Sequence, residues 1–333
     1  MSTSPLQKVA IVGAGAIGGW LGLHLAQAGA QLSVLARGDT LSALQNNGLQ
    51  LHQGGALHTL PVKASNEAAA LGIQDLVVIS VKAPALASVA AQVGPLIGPN
   101  TVVLTAMNGV PWWFLQGFGG PVNGRSLQCV DPDGAIAHAL PAPHIMGCVV
   151  HASCSVDAPG VVRHHFGDGL IVGEPTGQVT PRAQALHALL KTAGFNATLS
   201  PQIQKDIWYK LWGNMTINPI SAITGATTDR ILDDVLVRQF ISSVMLEAKA
   251  IGEKMGISIE QQPEDRHAVT RKLGAFRTSM LQDVDAGKPV ELDALVSAVR
   301  ELGQLTGVET PMTDALLGLS RLHAKELGLY PSK

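Results

Sequence analysis

Cysteine and charge are both scarce in this chain, and each shortage closes off a class of protein. Only Cys129, Cys148 and Cys154 occur among its 333 residues. They form no C-x-x-C pair, and an odd number argues against a disulfide framework, so they read as reduced thiols. Charged residues are 14% of the chain and the formal net charge is −2, which speaks against a nucleic-acid or acidic-membrane partner. No uncharged run reaches the length of about 20 residues that spans a bilayer. Met1 to Lys8 lacks the basic and apolar regions of a secretory leader. The expectation is a cytoplasmic protein with neither a nucleic-acid nor a membrane partner.

Metal spacing is lacking too. His138, His144, His151, His164 and His165 crowd one stretch, yet none belongs to an H-E-x-x-H or Cys/His pattern, so no metal site is expected. Cys148 and Cys154 have no base implied beside them and read as buried thiols. Aromatic residues make up only 4% of the chain, so the run Trp112-Trp113-Phe114 stands out. It suggests either an aromatic pocket or subunit contact, or buried packing under a loop.

What is abundant is apolar: 46% of residues are hydrophobic, enough for a sizeable core, and the length suggests two domains. Val9-Ala10-Ile11-Val12 reads as a strand, a glycine-rich turn and a helix to Ala28 follow, and Gln31 to Ala36 reads as a second strand. Leu76 to Val81 and Thr101 to Ala106 continue the alternation, with a helix between them that Pro95 and Pro99 end. Strands alternating with helices imply a parallel sheet. Ile145 to Ser155, Val161 to Phe166 and Leu170 to Val172 read as antiparallel additions. Pro181 to Ala193 reads as a helix and Ala197 to Leu199 as a last strand. Beyond Pro201 the spacing is helical, with breaks at Pro219, Pro263, Gly287-Lys288-Pro289 and Pro311. The domains expected are therefore 1–200, which binds the nucleotide, and 201–333, which is helical.

Gly13-Ala14-Gly15-Ala16-Ile17-Gly18 lies between the first strand and its helix. The first glycine permits the tight turn, the second lets backbone approach a pyrophosphate, and the third allows close helix–strand packing. The anion is left at a helix N-terminus. Enzymes that use NAD usually carry an acid at the end of the second strand, where it accepts from the ribose hydroxyls. Here the strand ends Leu35-Ala36-Arg37-Gly38, and a guanidinium in that position favours the 2′-phosphate of NADP(H) unless Asp39 takes it. Lys82 and Asn108 follow the next two strands at their C-terminal ends, where open α/β sheets bind ligands. Either could instead only cap a turn.

In Trp208-Tyr209-Lys210-Leu211-Trp212-Gly213-Asn214-Met215-Thr216-Ile217-Asn218-Pro219, Lys210, Asn214 and Asn218 climb one helical face at intervals of about 6 Å. Pro219 is expected to end the helix just beyond Asn218. A lysine there can give a proton and amides can orient a substrate. The plainer alternative is a lysine whose stem packs on apolar neighbours while its amine reaches water.

Together these pieces resemble the ketopantoate reductase (2-dehydropantoate 2-reductase) family. The resemblance runs from Val9 to about Leu327 and adds Ser279-Met280-Leu281-Gln282-Asp283 and Gly287-Lys288-Pro289-Val290-Glu291-Leu292-Asp293 to the motifs above. It implies an α/β fold, with a Rossmann-like N-terminal domain, an all-helical C-terminal domain and an active site in the cleft between them. The reaction it implies is NADPH-dependent reduction of ketopantoate to D-pantoate, on the way to coenzyme A. By the resemblance Lys210 is the general acid, Glu291 receives the substrate hydroxyl, Ser279 holds its carboxylate, and Asn108, Asn214 and Asn218 orient it. Asp293 is the rival to Glu291. Glu291 is preferred because Ser279 is taken to close one helix and Glu291 to open the next, so that a helical hairpin brings both to one end.

One departure is Thr228, where some members carry asparagine; another is Trp112-Trp113-Phe114 with the Gly/Pro-rich segment after it. Two other readings stay open. A D-2-hydroxy acid dehydrogenase of the same fold would act on a branched or aromatic 2-oxo acid, and a non-catalytic protein would only sense a dinucleotide. A homodimer is plausible from the apolar helical domain.

Overall fold

A computed structural model describes residues 6–331. The chain divides into two compact units. One comprises residues up to Met107 together with Asp133–Ile203; the other comprises Asn108–Pro132 together with Gln204 onward. The chain therefore passes between units at three places, where the sequence suggested one passage at 200/201.

The first unit is built on β1 (Lys8–Val12), α1 (Ala16–Gln27), β2 (Gln31–Leu35), α2 (Gly38–Asn47), β3 (Leu49–Gln53), β4 (Ala56–Leu60), β5 (Lys63–Ser65), α3 (Ala68–Leu71), β6 (Gln74–Ile79), α4 (Leu86–Ala90), β7 (Ile97–Thr105), α5 (Ala135–Ala139), β8 (Ile145–Ala158), β9 (Val161–Gly173), α6 (Pro181–Thr192) and β10 (Asn196–Leu199). All ten strands join one mixed sheet in the order β4-β3-β9-β8-β7-β6-β1-β2-β5, with β10 on β9. The β7-β6-β1-β2 centre is parallel. Val9, Ala10, Ile11, Leu76, Val77, Val78 and Ile79 are fully buried, which is why these strands read as continuous apolar runs rather than alternating ones. The connection out of β1 runs to β2 and that out of the neighbouring β6 runs to β7, in opposite directions, and at such a switch point a doubly wound sheet takes its ligand.

Three features departed from the sequence reading. Pro99 lies inside β7 rather than ending a helix. The pieces at Val161 and Leu170 form a single strand, because Gly167 (φ +81°) is a bulge rather than a turn: a Cβ there would come within 2.5 Å of the His151 carbonyl oxygen. The hairpin of β3 and β4 was missed, although Gly54 (φ +59°) and Gly55 (φ +82°) between them carry the two-residue signature of such a turn.

The second unit holds α7 (Ile203–Thr224), α8 (Thr228–Asp233), α9 (Val235–Met255), α10 (Pro263–Arg271), α11 (Ser279–Asp285), a π-helical turn at Asp293–Ser297, α12 (Ala298–Thr306) and α13 (Pro311–Glu326). Its central helix, α7, overturns an expectation: Pro219 lies within it and the helix runs on to Thr224. An internal proline costs about 3 kcal/mol. Ile207, Trp208, Leu211, Trp212, Met215, Ile217 and Ile220 are all buried, at about 1.5–3 kcal/mol for each such side chain, so packing outweighs the lost hydrogen bond. Trp212 Nε1 donates to the Met245 carbonyl oxygen of α9 at 2.7 Å. The true stop is Gly225 (φ +71°), where Thr224 Oγ1 donates to the Ile220 carbonyl oxygen at 2.7 Å.

Candidate active site

In the first unit the glycine-rich turn leaves β1 with Gly13 at φ +94°, where a Cβ would come within 2.6 Å of Val81 Cγ1. At Gly18 a Cβ would meet the Gly13 carbonyl oxygen at 2.1 Å and Ser80 Oγ at 2.3 Å, whereas at Gly15 it would meet nothing within 4 Å. Gly13 and Gly18 are thus needed for the turn and the packing, and Gly15 leaves open space above the backbone. Ser80 Oγ donates to the Gly13 carbonyl oxygen at 2.8 Å and holds the turn in place. No side chain caps α1, which starts at Ala16 directly after Gly15. Its first-turn N–H groups, at Ala16, Ile17 and Gly18, are those an anion would take. The chemistry of this cradle fits a dinucleotide pyrophosphate. Arg37 follows β2 at the start of α2 and is exposed. Among the described residues its guanidinium forms no ion pair with Asp39 or any other carboxylate. Lys82 is exposed after β6 and precedes a 3-10 turn.

The second unit brings Lys210 and Asn108 together. Lys210 Nζ donates to Asn108 Oδ1 at 2.8 Å. Asn108 comes just after β7 in sequence, yet it belongs to the unit that contains α7. Asn214 and Asn218 follow Lys210 on the same face of the continuous helix, Asn214 partly buried and Asn218 buried. Asn218 is therefore a mid-helix amide rather than one at a helix end.

The Asn108 loop is fixed by the π-helical turn. Val110 N–H donates to the Ala294 carbonyl oxygen at 2.8 Å. Gly109 has φ +81°, and a Cβ there would meet the Ala294 carbonyl oxygen at 2.6 Å and Ala294 Cβ at 2.7 Å, so only glycine fits. Single π turns within helices recur at functional sites, and this one begins two residues after Glu291. Glu291 is buried, while the Asp293 carboxylate accepts from Tyr330 Oη at 2.6 Å and Ser297 Oγ at 3.0 Å. Burial and that carboxylate both push the Tyr330 hydroxyl above its usual pKa. The rival acid is thus committed to structural hydrogen bonds. Farther on, Glu301 accepts the backbone N–H groups of Gln128 and Cys129 at 2.7 and 2.9 Å, anchoring the far end of the 108–132 segment to α12.

Ser279 opens α11 rather than closing a helix, because Thr278 is the cap and its hydroxyl accepts from Leu281 N–H at 3.2 Å. Ser279 and Glu291 therefore do not face each other as the end of one helix and the start of the next. The loop before Ser279 is held by Thr228, which is buried. Its hydroxyl donates to the Gly274 carbonyl oxygen at 2.7 Å and accepts from Phe276 N–H at 3.3 Å, and its own N–H donates to the Phe276 carbonyl oxygen at 3.0 Å. The residue that departs from some family members thus spends its hydrogen bonds on backbone.

Trp112, Trp113 and Phe114 are buried at 4%, 1% and 0% exposure, and the Phe114 ring lies 6.1 Å from that of Trp208. The three are buried side chains rather than an exposed aromatic surface, and Phe114 packs beside Trp208 within the second unit. Burial pushes the Cys154 thiol up to about 12, and burial together with Glu301 raises Cys129 as well, which disfavours thiolate chemistry at both. No group of three metal-ligating side chains occurs among the described residues, and no described helix is long and apolar enough to cross a membrane.

Comparison with known proteins gives this geometry its family. Residues 9–116 match the model "Ketopantoate reductase PanE/ApbA", and residues 202–324 match its C-terminal counterpart. A 2-dehydropantoate 2-reductase from Mesorhizobium japonicum is 45% identical over 324 residues, covering 97% of this chain and 99% of that one. The crystal structure of a candidate ketopantoate reductase from Ralstonia solanacearum MolK2 superimposes with a TM-score of 0.95 at 58% identity, covering 98% of this chain and all of that one. D-mandelate dehydrogenase in complex with NADH and anilino(oxo)acetate shares the fold at TM-score 0.84 and 21% identity. A phosphate cradle behind β1, a lysine–asparagine pair on a helical unit and full-length matches of this strength make the chain a member of the ketopantoate reductase family, oxidoreductases that reduce ketopantoate to pantoate.

Proposed function

We propose that this chain reduces ketopantoate to D-pantoate with NADPH, and that Lys210 is its general acid. The observation that carries the reading is the hydrogen bond from Lys210 Nζ to Asn108 Oδ1. When bound, the reduced nicotinamide supplies hydride to the carbonyl carbon. Charge then builds on the carbonyl oxygen, and an ammonium beside it both stabilises that charge and delivers a proton. Asn108 aims the ammonium through a neutral amide oxygen, which orients the donor without adding a charge of its own. Asn214, Asn218 and Ser279 hold the oxo acid, and Glu291 receives its hydroxyl. Gly13 to Gly18 and Lys82 bind the cofactor, with Asn108 also within the cofactor set. The unpaired Arg37 supports NADP(H) over NAD(H), because it can meet a 2′-phosphate where an acid would repel it.

Residues 1–200 serve as the cofactor-binding region and 201–333 as the substrate-binding and dimerisation region. A homodimer is supported by the exposure of Leu236, Leu319 and Leu322, at 73%, 63% and 59%.

The test follows absorbance of the reduced nicotinamide with NADPH or NADH and a panel of 2-oxo acids. Ketopantoate with NADPH should be turned over best. Activity confined to aryl or simple branched acids would transfer the chain to the D-2-hydroxy acid dehydrogenases. No oxidation with any acid would sink the catalytic reading and leave a dinucleotide sensor.

A further inference from the structure

The residues so far assigned to the oxo acid include amides, a hydroxyl, a carboxylate and one lysine. That lysine is committed to the carbonyl oxygen. A 2-oxo acid also carries a carboxylate, to which Ser279 offers only a neutral hydroxyl. A second cation sits beside the same helix. Arg266 of α10 lays its guanidinium on α7: a Cβ at Gly213 would come within 2.7 Å of Nε and Nη2 and 2.9 Å of Cζ. Its Cζ stands 5.8 Å from the centroid of the Tyr209 ring. Gly213 lies one helical turn beyond Lys210 and directly before Asn214, so the guanidinium flanks the stripe that carries the proton donor.

The charge on Arg266 is uncompensated. Nε is buried with no hydrogen-bond partner, and no carboxylate among the described residues pairs with the guanidinium. Burial is what pulls its pKa below the ordinary arginine value. Ionised groups taken out of water are ordinarily paired, because the desolvation is otherwise not offset. A guanidinium offers parallel donors whose spacing matches a carboxylate. The ring of Tyr209 holds the cation by its π face, which leaves the donors at the guanidinium edge for an anion.

We propose that Arg266 binds the carboxylate of the 2-oxo acid substrate, with Gly213 retained so that the guanidinium can lie against α7. The assignment rests on the reading of Lys210 as the general acid, because it places the carboxylate beside the carbonyl that Lys210 protonates.

The experiment pairs steady-state kinetics with equilibrium binding. Wild-type turnover of ketopantoate checks the reductase reading. Calorimetric binding of oxamate to the NADP+-loaded protein checks Arg266 whether or not turnover is seen. Arg266→Gln should raise KM for ketopantoate and weaken oxamate about 10- to 100-fold, the range of a charge-assisted hydrogen bond, while kcat changes less and NADP+ affinity stays the same. Arg266→Lys, which keeps the charge but loses the fork, should fall between and serves in place of Arg266→Gln if that variant does not fold. The methyl ester of ketopantoate separates recognition from packing. Lacking the carboxylate, it should bind wild type and variant alike. KM and oxamate affinity within twofold of wild type, or an equal penalty on the ester, would overturn the assignment.

Discussion

Lys210 Nζ and Asn108 Oδ1 are joined by a 2.8 Å hydrogen bond across 102 positions of chain. The pair makes a proton donor with a fixed aim. Lys210→Ala should lose about 10²- to 10⁴-fold in kcat, the usual contribution of a positioned acid, while NADPH binding, followed by fluorescence titration, survives. An unchanged kcat would remove Lys210 from the reaction.

Gly109 holds Asn108 by its close approach to Ala294. Gly109→Ala forces a Cβ against that backbone from a left-handed conformation, so Asn108 should shift and kcat should fall. If the loss passes through Asn108, the double variant with Asn108→Ala will be no slower than Asn108→Ala alone, since coupled residues are not additive. Additive losses would show that Gly109 acts by another route.

Arg37 stands exposed at the start of α2 with no carboxylate partner among the described residues. Arg37→Asp should reverse cofactor preference, with KM for NADPH rising at least tenfold and that for NADH falling. Parallel kinetics with the two cofactors checks it, and an unchanged ratio would show that the 2′-phosphate is recognised elsewhere.

Thr228→Val keeps the shape and removes the hydroxyl that bonds Gly274 and Phe276. Losing those part-buried hydrogen bonds should cost about 0.5–1.5 kcal/mol of stability, read by denaturant unfolding. Because the same loop leads into Ser279, KM for the oxo acid should rise as well, with NADPH affinity unchanged.

His267 is buried, with Nε2 2.9 Å from Ser242 Oγ. Burial lowers its pKa from 6.5, and Arg238, Arg271 and Arg266 add to that against the opposing Glu264. The unfolded chain therefore takes up a proton at a pH where the folded one does not. Stability is full above about 6.5 and is lost as pH falls from there through the lower folded value. Tm measured from pH 7.5 down to 5 should decline, and His267→Asn should flatten that decline after its own fixed loss of stability.

Much of this was legible in the sequence because it rests on local chemistry. Gly13, Gly15 and Gly18 declare themselves by spacing between a strand and a helix, and buried parallel strands such as β1 and β6 must be apolar throughout. Pro219 misled because propensity is local while α7 is stabilised by tertiary burial on most of its sides. Ser279 misled because Thr278 and Ser279 are both capping residues, and spacing does not choose between neighbours. Arg266 was invisible: in Pro263-Glu264-Asp265-Arg266-His267 it looks like part of a solvated, charged helix start. Only the packing against Gly213 sets it apart.

The segment Asn108–Pro132 belongs to the same unit as α7 although about seventy residues separate them in the chain. Recombination between relatives at the obvious seam near residue 203 would take Lys210 from one parent and its amide partner, with the glycine fitted against Ala294, from the other. Such hybrids would inherit a mismatched proton donor even when each parent is active. Grafting the helical unit onto a different nucleotide-binding scaffold requires carrying Asn108–Pro132 with it as a second insert.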